Sequence, residues 1–404
     1  MEDVHPVLIV GGGLVGASLA IALDRAGIPA AMVEATPAGA MPEVFDQRNL
    51  SFADATVNAL AALGVMQRLR MPGGSIRRIH VSRSGDFGRA RLDAADYGRE
   101  RFGQVVVARD FGEALEARLA ELPQLVRHRP ARFLGFADEG DGVRRVRIAD
   151  GHGERILQAQ LVVAADGTRS QVREALGIDS DEHDYQQRLF VARLRTQRAP
   201  DGIAYERLGD HGPTALLPRG DGAWGLVHGV DEADADAVAA LGDRAFLERV
   251  QAAFGWRAGR FLEVGERSAY PAIRLVAQRI TAPRAVLVGN AAQTLHPIGA
   301  QGFNLGLRDA LTLAEEIAAN RGDPGADAVL AGHAARRRED RERTLAFSDG
   351  LARITANDAP LLRPLRSLGL FAIDRVPALQ SLLAGGAMGY RGDVPALCRE
   401  AGAR

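Results

Sequence analysis

The chain has 404 residues, 47% apolar and 25% charged. That is enough for one or two real cores and is the composition of a globular rather than a disordered protein. Its 50 basic and 51 acidic residues leave a net charge of -1, without the basic excess that a nucleic-acid partner favours.

Every basic residue is arginine, which reads as a composition bias. No run approaches the ~20 apolar residues of a membrane-spanning helix. The start, MEDVHP, is acidic and runs straight into a strand, so a signal peptide is not expected. The single cysteine, Cys398, excludes an intramolecular disulfide or a cysteine-based metal cage and fits a reducing compartment. No metal site and no internal repeat are expected.

In chain order, a β-branched run at 7–10 is followed at once by GGGLVG at 11–16 and by a helix-spaced segment ending at Ala26, where Gly27 is a natural stop. A second strand at 30–33 ends in Glu34. Strand, G-x-G-x-x-G, helix, and an acidic residue 18 positions past Gly16 form a dinucleotide-binding fingerprint. Gly11 permits the tight turn, Gly13 lets a pyrophosphate approach the backbone, Gly16 lets helix and strand pack closely, and Glu34 can accept from a ribose hydroxyl. The same pattern recurs at 220–225, but a strand rather than a helix follows it, so it is a hairpin turn that offers no helix N-terminus to a phosphate.

DQRNLSFA at 46–53 leads into a helix over 53–63 closed by Gly64, with Arg48 where a nucleotide beside Glu34 would extend. Alternation at 75–91 around Ser84-Gly85-Asp86 predicts a hairpin, and 101–107 predicts a strand. Asp110 with Glu113 reads as the capping box of a helix to Leu122. Strands follow near 132–136 and 143–148, joined by a turn at 138–142. A buried strand from Leu161 ends in Asp166-Gly167 before a helix at 171–176, which alone is an ordinary turn.

From 188 to 270 the pattern changes. Strands at 189–195, 204–208, 214–217, 223–230 and 260–270, with one helix at 237–254, predict an antiparallel sheet inserted into the nucleotide fold. That fold resumes with a buried strand at 285–288. GNAAQTLHPIGAQGFNLGLRDA at 289–310 then passes through His296-Pro297 and Gly299, Gly302 and Gly306 into a helix. There Phe303, Leu307, Ala310, Leu311, Ala314 and Ile317 recur at three- and four-residue steps. A helix starting there aims unpaired N–H groups at negative charge. An Arg/Glu-rich helix runs from Arg336 to Phe347. Beyond it Leu361, Leu365 and Leu368 share a helix face, suited to packing on the core or a second subunit, or to contact with a membrane interface.

Three blocks in order, GGGLVG with Glu34, ADG at 165–167 and the segment at 289–310, resemble the single-component FAD-dependent aromatic hydroxylases of the para-hydroxybenzoate hydroxylase superfamily. DQRNLSFA, GPTALLPR at 212–219 and the tail from FSDGLARI at 347–354 onward extend the resemblance to the ubiquinone-biosynthesis hydroxylases, and among them to the 2-polyprenyl-6-methoxyphenol hydroxylases. It covers nearly the whole chain. It implies an α/β fold: a Rossmann-like FAD-binding domain with an inserted antiparallel-sheet substrate domain and a C-terminal helical tail. The expected bounds are 1–75, 100–180 and 281–345 for the FAD-binding domain, 76–99 and 181–280 for the substrate domain, and 346–404 for the tail.

The resemblance further implies FAD with its ADP moiety on Gly11, Gly13, Gly16 and Glu34, and contacts from Arg48 and Gln104. Asp166 and Gly167 belong to a motif shared between FAD and the NAD(P)H donor. Asn290 stands at the ribityl chain, where many relatives have aspartate. The helix start at Gly302, Phe303 and Asn304 faces the negative edge of the reduced flavin. Pro297 walls the face where O2 reacts. Gln301 is counted with it, in an Ala300-Gln301-Gly302 stretch where many relatives read Gly-Gln-Gly. His296 is a proton donor or, equally, a structural histidine, and Gln293 has no proton-transfer role.

The implied cycle has NAD(P)H reduce the FAD, O2 give a C4a-hydroperoxide, and a polyprenylated phenol take the distal oxygen. The implied setting is the cytoplasm. Peripheral contact with the inner membrane, a complex with other quinone-biosynthesis proteins and a homo-oligomer are open partnerships. Two other readings stay open on the residues: a flavin hydroxylase or epoxidase of another aromatic or polyene, and a non-catalytic FAD-binding scaffold subunit.

Overall fold

The computed structural model describes residues 4–41, 46–137, 142–355 and 362–399. The chain opens with β1 (Val4–Val10), α1 (Leu14–Arg25) and β2 (Ala30–Val33). β3 (Asn49–Ala53) runs straight into α2 (Asp54–Ala62), so a strand precedes the helix expected there. β4 (Gly74–Ile76), the hairpin of β5 (Arg78–Arg83) and β6 (Arg89–Asp93), and β7 (Gly103–Val107) lead to α3 (Ala108–Leu119). α3 follows an extended Val107 and has no side-chain cap. Asp110 and Glu113 therefore form no capping box; Asp110 sits inside the first turn, where its charge suits the helix dipole. β8 (Leu125–His128), β9 (Ala131–Phe136), β10 (Arg144–Asp150), β11 (Gly153–Ala164) and α4 (Gln171–Ala175) follow. Most of the turn expected at 138–142 lies outside the described residues.

The inserted region comprises β12 (Ser180–Thr196), β13 (Ile203–Leu208), β14 (Thr214–Pro218), β15 (Trp224–Asp231), α5 (Ala235–Ala239), α6 (Asp243–Phe254), β16 (Phe261–Val264) and β17 (Ser268–Ala277). The single helix expected over 237–254 is thus two, broken where extended Gly242 caps α6. The strand expected over 260–270 is likewise β16 and β17, parted around Gly265. The chain returns through β18 (Thr281–Ala282), β19 (Ala285–Leu287) and β20 (Gln293–Thr294) to α7 (Gly302–Ala319), α8 (Asp327–Thr355), α9 (Leu362–Arg375) and α10 (Pro377–Met388). α8 begins well before Arg336 and ends beyond Phe347, so the Arg/Glu-rich stretch is only its middle.

The first sheet runs β18-β19-β11-β1-β2-β8, with β10 and β9 continuing from β11. β19, β11, β1, β2 and β8 are parallel. Val10 at the end of β1 lies beside Val33 and Ala164, and Ala164 beside Leu287. The carboxyl ends of four strands therefore meet at one edge, where ligands bind in such sheets. β1 sends Val7 and Ile9 into one apolar cluster, with α1 and α7, and Leu8 and Val10 into another, with Phe133 and Val146. Burial on both faces explains its unbroken apolar run.

A nine-stranded sheet, β20-β17-β12-β15-β14-β13-β5-β6 with β16 on β12, forms a second layer. It is antiparallel except at β13 and β5, which pair in parallel. The hairpin β5–β6 thus joins strands far along the chain. The pattern at 220–225 is the hairpin turn between β14 and β15, where Pro218 pairs with Trp224. A third sheet, β3-β7-β4, has three strands. Among the described residues no helix is long and apolar enough to cross a membrane. Of the helix face expected from Leu361, Leu365 and Leu368, only the last lies among residues whose side chains are described, and it is 55% exposed.

Candidate active site

Strand and helix meet within three residues at the first turn. Gly11 has φ +105, and a Cβ there would lie 2.4 Å from the Ala165 carbonyl oxygen. A Cβ on Gly16 would lie 2.0 Å from the Gly11 carbonyl oxygen. Only glycine fits either position. Gly13 caps α1 without a side-chain bond, and α1 has no acidic residue in its first turn. The first helical bond runs from Ala17 N–H to Gly13 at 3.0 Å, so the amides before it have no partner in the helix. Glu34 accepts from the backbone N–H of Gly12 at 2.7 Å and of Thr36 at 2.6 Å. Asp166 accepts from the Ser170 hydroxyl at 2.5 Å and from Val172 N–H at 3.1 Å, which ties it to the start of α4. Burial raises its pKa, and these bonds offset that only in part. Gly167, at φ +85, turns the chain beside it.

The second turn is longer. Between β20 and α7 a short 3-10 turn, Ile298–Ala300, contains Gly299 at φ 71, and Ala300 itself stands at φ 51. A left-handed alanine is strained. α7 has no side-chain cap and no acidic residue in its first turn. Leu305 N–H bonds to Gln301 at 2.9 Å, leaving the amides of Gly302, Phe303 and Asn304 ahead of the first helical bond. Nothing lies within 4 Å of a Cβ placed on Gly302. The Asn304 side chain accepts from Ala53 N–H at 2.8 Å and donates to Ser51 at 2.9 Å and Ala300 at 2.8 Å. It ties β3 to the turn, so what it can offer a ligand is its backbone. Gln301 donates to the Gly299 carbonyl at 3.0 Å.

Beneath this turn lies a buried ion network. Arg308 meets Asp340 at 2.6 and 3.1 Å, and Arg337 meets Asp309 at 2.8 Å and Asp340 at 2.5 Å. Gln293 donates to Asp309 at 2.6 Å and accepts from Arg341 at 2.8 Å. That accounts for Gln293: it joins β20 and α7 to α8. Burial opposes charge on Asp340, but Arg308 and Arg337 outweigh it and hold its pKa below the ordinary value.

A single cavity of about 890 Å³ joins these turns. Of the residues singled out in the sequence, its lining includes Gly11, Gly13, Glu34, Arg48, Asp166, Gly167, Asn290, Pro297, Gln301, Gly302, Phe303 and Asn304. Three others do not line it. Gly16 is used in packing α1 against the turn. Gln104, expected at the cofactor, sits on β7 between β3 and β4, with its side-chain oxygen 2.9 Å from where a Gly73 Cβ would be. His296 is 2% exposed, its Nδ1 accepts from Ile298 N–H at 3.2 Å, and its ring meets Tyr185 edge-on at 4.8 Å. Burial drives its pKa down to about 4. Burial of the ring and a lowered pKa suit the structural one of the two roles that the sequence leaves open for His296.

The remaining wall sets Arg48 among side chains that the sequence did not single out. Arg48 lies over the Tyr270 ring at 4.0 Å and pairs with Asp46 at 2.8 Å, and the Tyr270 hydroxyl donates to Asp46. Burial would raise Asp46, but the bonds from Arg48 and Tyr270 outweigh it and its pKa ends below the usual range. Nothing in the spacing of Asp46 and Tyr270 announces this contact. The sheet adds apolar side chains such as Leu189, Val191, Leu217 and Val227, and α10 adds Leu383 and Ala387. Glu206 of β13 is a carboxyl set into this apolar wall. Strand alternation put it on one face with Ala204 and Leu208, a signal available in the sequence.

A parallel sheet with a glycine-rich first turn, an acidic residue after β2 and two uncapped helix starts on one cavity defines a dinucleotide-binding α/β protein. Residues 4–348 match the FAD binding domain family. The ubiquinone hydroxylase UbiL of Rhodospirillum rubrum is 34% identical over 392 residues, spanning 96% of this chain and 90% of that one. The chain belongs to the FAD-binding monooxygenases related to the ubiquinone hydroxylases. The 3-demethoxyubiquinol 3-hydroxylase of Escherichia coli K12 is 28% identical, over 93% of this chain and 96% of its own. In fold alone, p-nitrophenol 4-monooxygenase PnpA from Pseudomonas putida is similar with a TM-score of 0.80, at 20% identity, covering 97% of this chain and 99% of its own.

The residues fit FAD. The first turn leaves no room for a side chain at Gly11, the start of α1 at Gly13, Leu14 and Val15 lines the cavity, and a carboxylate stands at the end of β2. The space over Gly302 is free and bordered by unpaired amides.

Proposed function

We propose that this chain hydroxylates the ring of a polyprenylated phenol in ubiquinone synthesis, using NAD(P)H and O2. The observation that carries the reading is the pair of uncapped helix starts, α1 and α7, facing one cavity whose opposite wall is apolar sheet. FAD, when bound, supplies the redox chemistry and the reaction with oxygen. The chain binds, orients and dries the site. The amides of the first turn take the pyrophosphate, and Glu34, released from Gly12, takes a ribose hydroxyl. The amides at 302–304 stabilise negative charge on the flavin edge. Pro297 and the sheet exclude water from the reacting face. Support for a prenylated substrate comes from the names of the relatives at 34 and 28% identity and from the apolar wall reaching α10.

The test is NAD(P)H consumption by the FAD-loaded protein with a geranylated methoxyphenol or with p-nitrophenol. The reading expects stimulation and a hydroxylated product with the prenylated phenol. FAD binding with no stimulation and no product from it sinks the substrate assignment.

A further inference from the structure

Among the described residues four carboxyl side chains line the cavity, and three are occupied. Glu34 is held by the amides of Gly12 and Thr36, Asp166 by Ser170 and Val172, and Asp340 by Arg308 and Arg337. The fourth is Glu206. Among the described residues no hydrogen bond or ion pair reaches its carboxyl.

Its position follows from the pleat of β13. Tyr205 and Arg207 point to the far side, where Tyr205 stacks near Trp224 at 5.8 Å and Phe254 at 5.6 Å, and Arg207 donates to the Ala253 carbonyl at 3.0 Å. Glu206 therefore faces the cavity with Ala204. Its ladder neighbours are Val81 of β5 and Ala215 of β14, both apolar and both lining the cavity. On the same face of β5, Arg83 is engaged by Asp86 at 3.6 Å and by Asp210. His80 and Arg78 alternate to the other face of β5. β14 carries no titratable side chain, and on the face of β15 that holds Val227 the titratable one is Asp231 at the strand's end, engaged by His211. With no countercharge, burial alone pushes the Glu206 carboxyl up to about 7. A carboxyl kept for structure would be paired. An unpaired one in an apolar cavity costs stability, which is the mark of a group kept for chemistry.

We propose that Glu206 receives the hydroxyl of the phenol substrate, accepting its hydrogen bond and then its proton as the ring is hydroxylated, and so is a catalytic residue. This rests on the hydroxylase reading above. The phenolic O–H bond breaks and a carboxyl O–H bond forms, while the electron pair stays on the phenolic oxygen and enriches the ring. No oxidant beyond that of the hydroxylation is needed, and the proton returns to the oxygen when product leaves. Phenols ordinarily titrate near ~10 and a free glutamate near ~4.3, so a raised carboxyl is the better matched acceptor.

The experiment compares FAD-loaded wild type with Glu206→Gln and Glu206→Asp. It follows FAD content, NAD(P)H consumption and hydroxylated product from a geranylated methoxyphenol across pH. Wild-type product formation is expected to rise as pH climbs through about 7, because the base acts when deprotonated. Glu206→Gln should keep its FAD and still consume NAD(P)H, but form product ~10²–10⁴-fold more slowly without the pH step. Glu206→Asp should restore part of the rate. A Gln variant with wild-type product formation and pH step overturns the assignment, as does one that loses FAD, which would place Glu206 in the scaffold. If wild type itself hydroxylates no phenol while holding FAD, it is the hydroxylase reading that fails.

Discussion

The two glycine-rich turns that border the cavity share one pattern, strand to turn to helix, and are held in opposite ways. The first is three residues long and is held by backbone. Its glycines let the Ala165 and Gly11 carbonyls come closer than any side chain would allow. The second wanders through β20 and a 3-10 turn, puts an alanine in a left-handed conformation, and is held by charged side chains sent from α8. A short turn can be specified by the residues inside it. A long one needs supports from elsewhere in the chain, and those supports carry charge into the core.

The contrast can be broken from either side. The largest effect is expected at the second turn. Arg337 is fully buried between Asp309 and Asp340, so Arg337→Leu leaves uncompensated carboxylate there and should cost about 3–5 kcal/mol in a urea titration. A loss under 1 kcal/mol would mean that the network is incidental. At the first turn Gly16→Ala puts a methyl against the Gly11 carbonyl. It should cost about 1–3 kcal/mol and remove FAD affinity, whereas retained affinity would show that the close approach is not required. The smallest effect sharpens the comparison. Ala300→Gly relieves the strain at φ 51 and should stabilise by roughly 1 kcal/mol or less, since glycine also loosens the unfolded chain. Destabilisation would contradict the strain.

The same contrast explains what was legible in the sequence. The first turn needs only glycines and an acidic residue at local spacing, so Gly11, Gly13 and Glu34 could be read directly. The second turn could be located, through its glycines and the helix period of α7. Its roles could not be sorted, because they depend on residues some 28 to 48 positions away: Arg337 on Asp309 and Arg341 on Gln293. The two roles open to His296 could not be told apart, because its contacts with Tyr185 and Ser348 come from distant parts of the chain. Gln104, which the resemblance puts at the cofactor, sits on β7 between β3 and β4 with its side chain beside Gly73. The parallel pairing of β13 with β5 joins segments more than 120 residues apart. Alternation gives the face of Glu206, and that pairing with β5 adds Val81 beside it.

The hydroxylase reading meets its most direct test in isotopically labelled O2. FAD-loaded protein, NAD(P)H and a geranylated methoxyphenol are allowed to react under the labelled gas, and the product is examined by mass spectrometry. The reading predicts one labelled oxygen on the ring of each hydroxylated product. NAD(P)H consumed with no label in the phenol would contradict it.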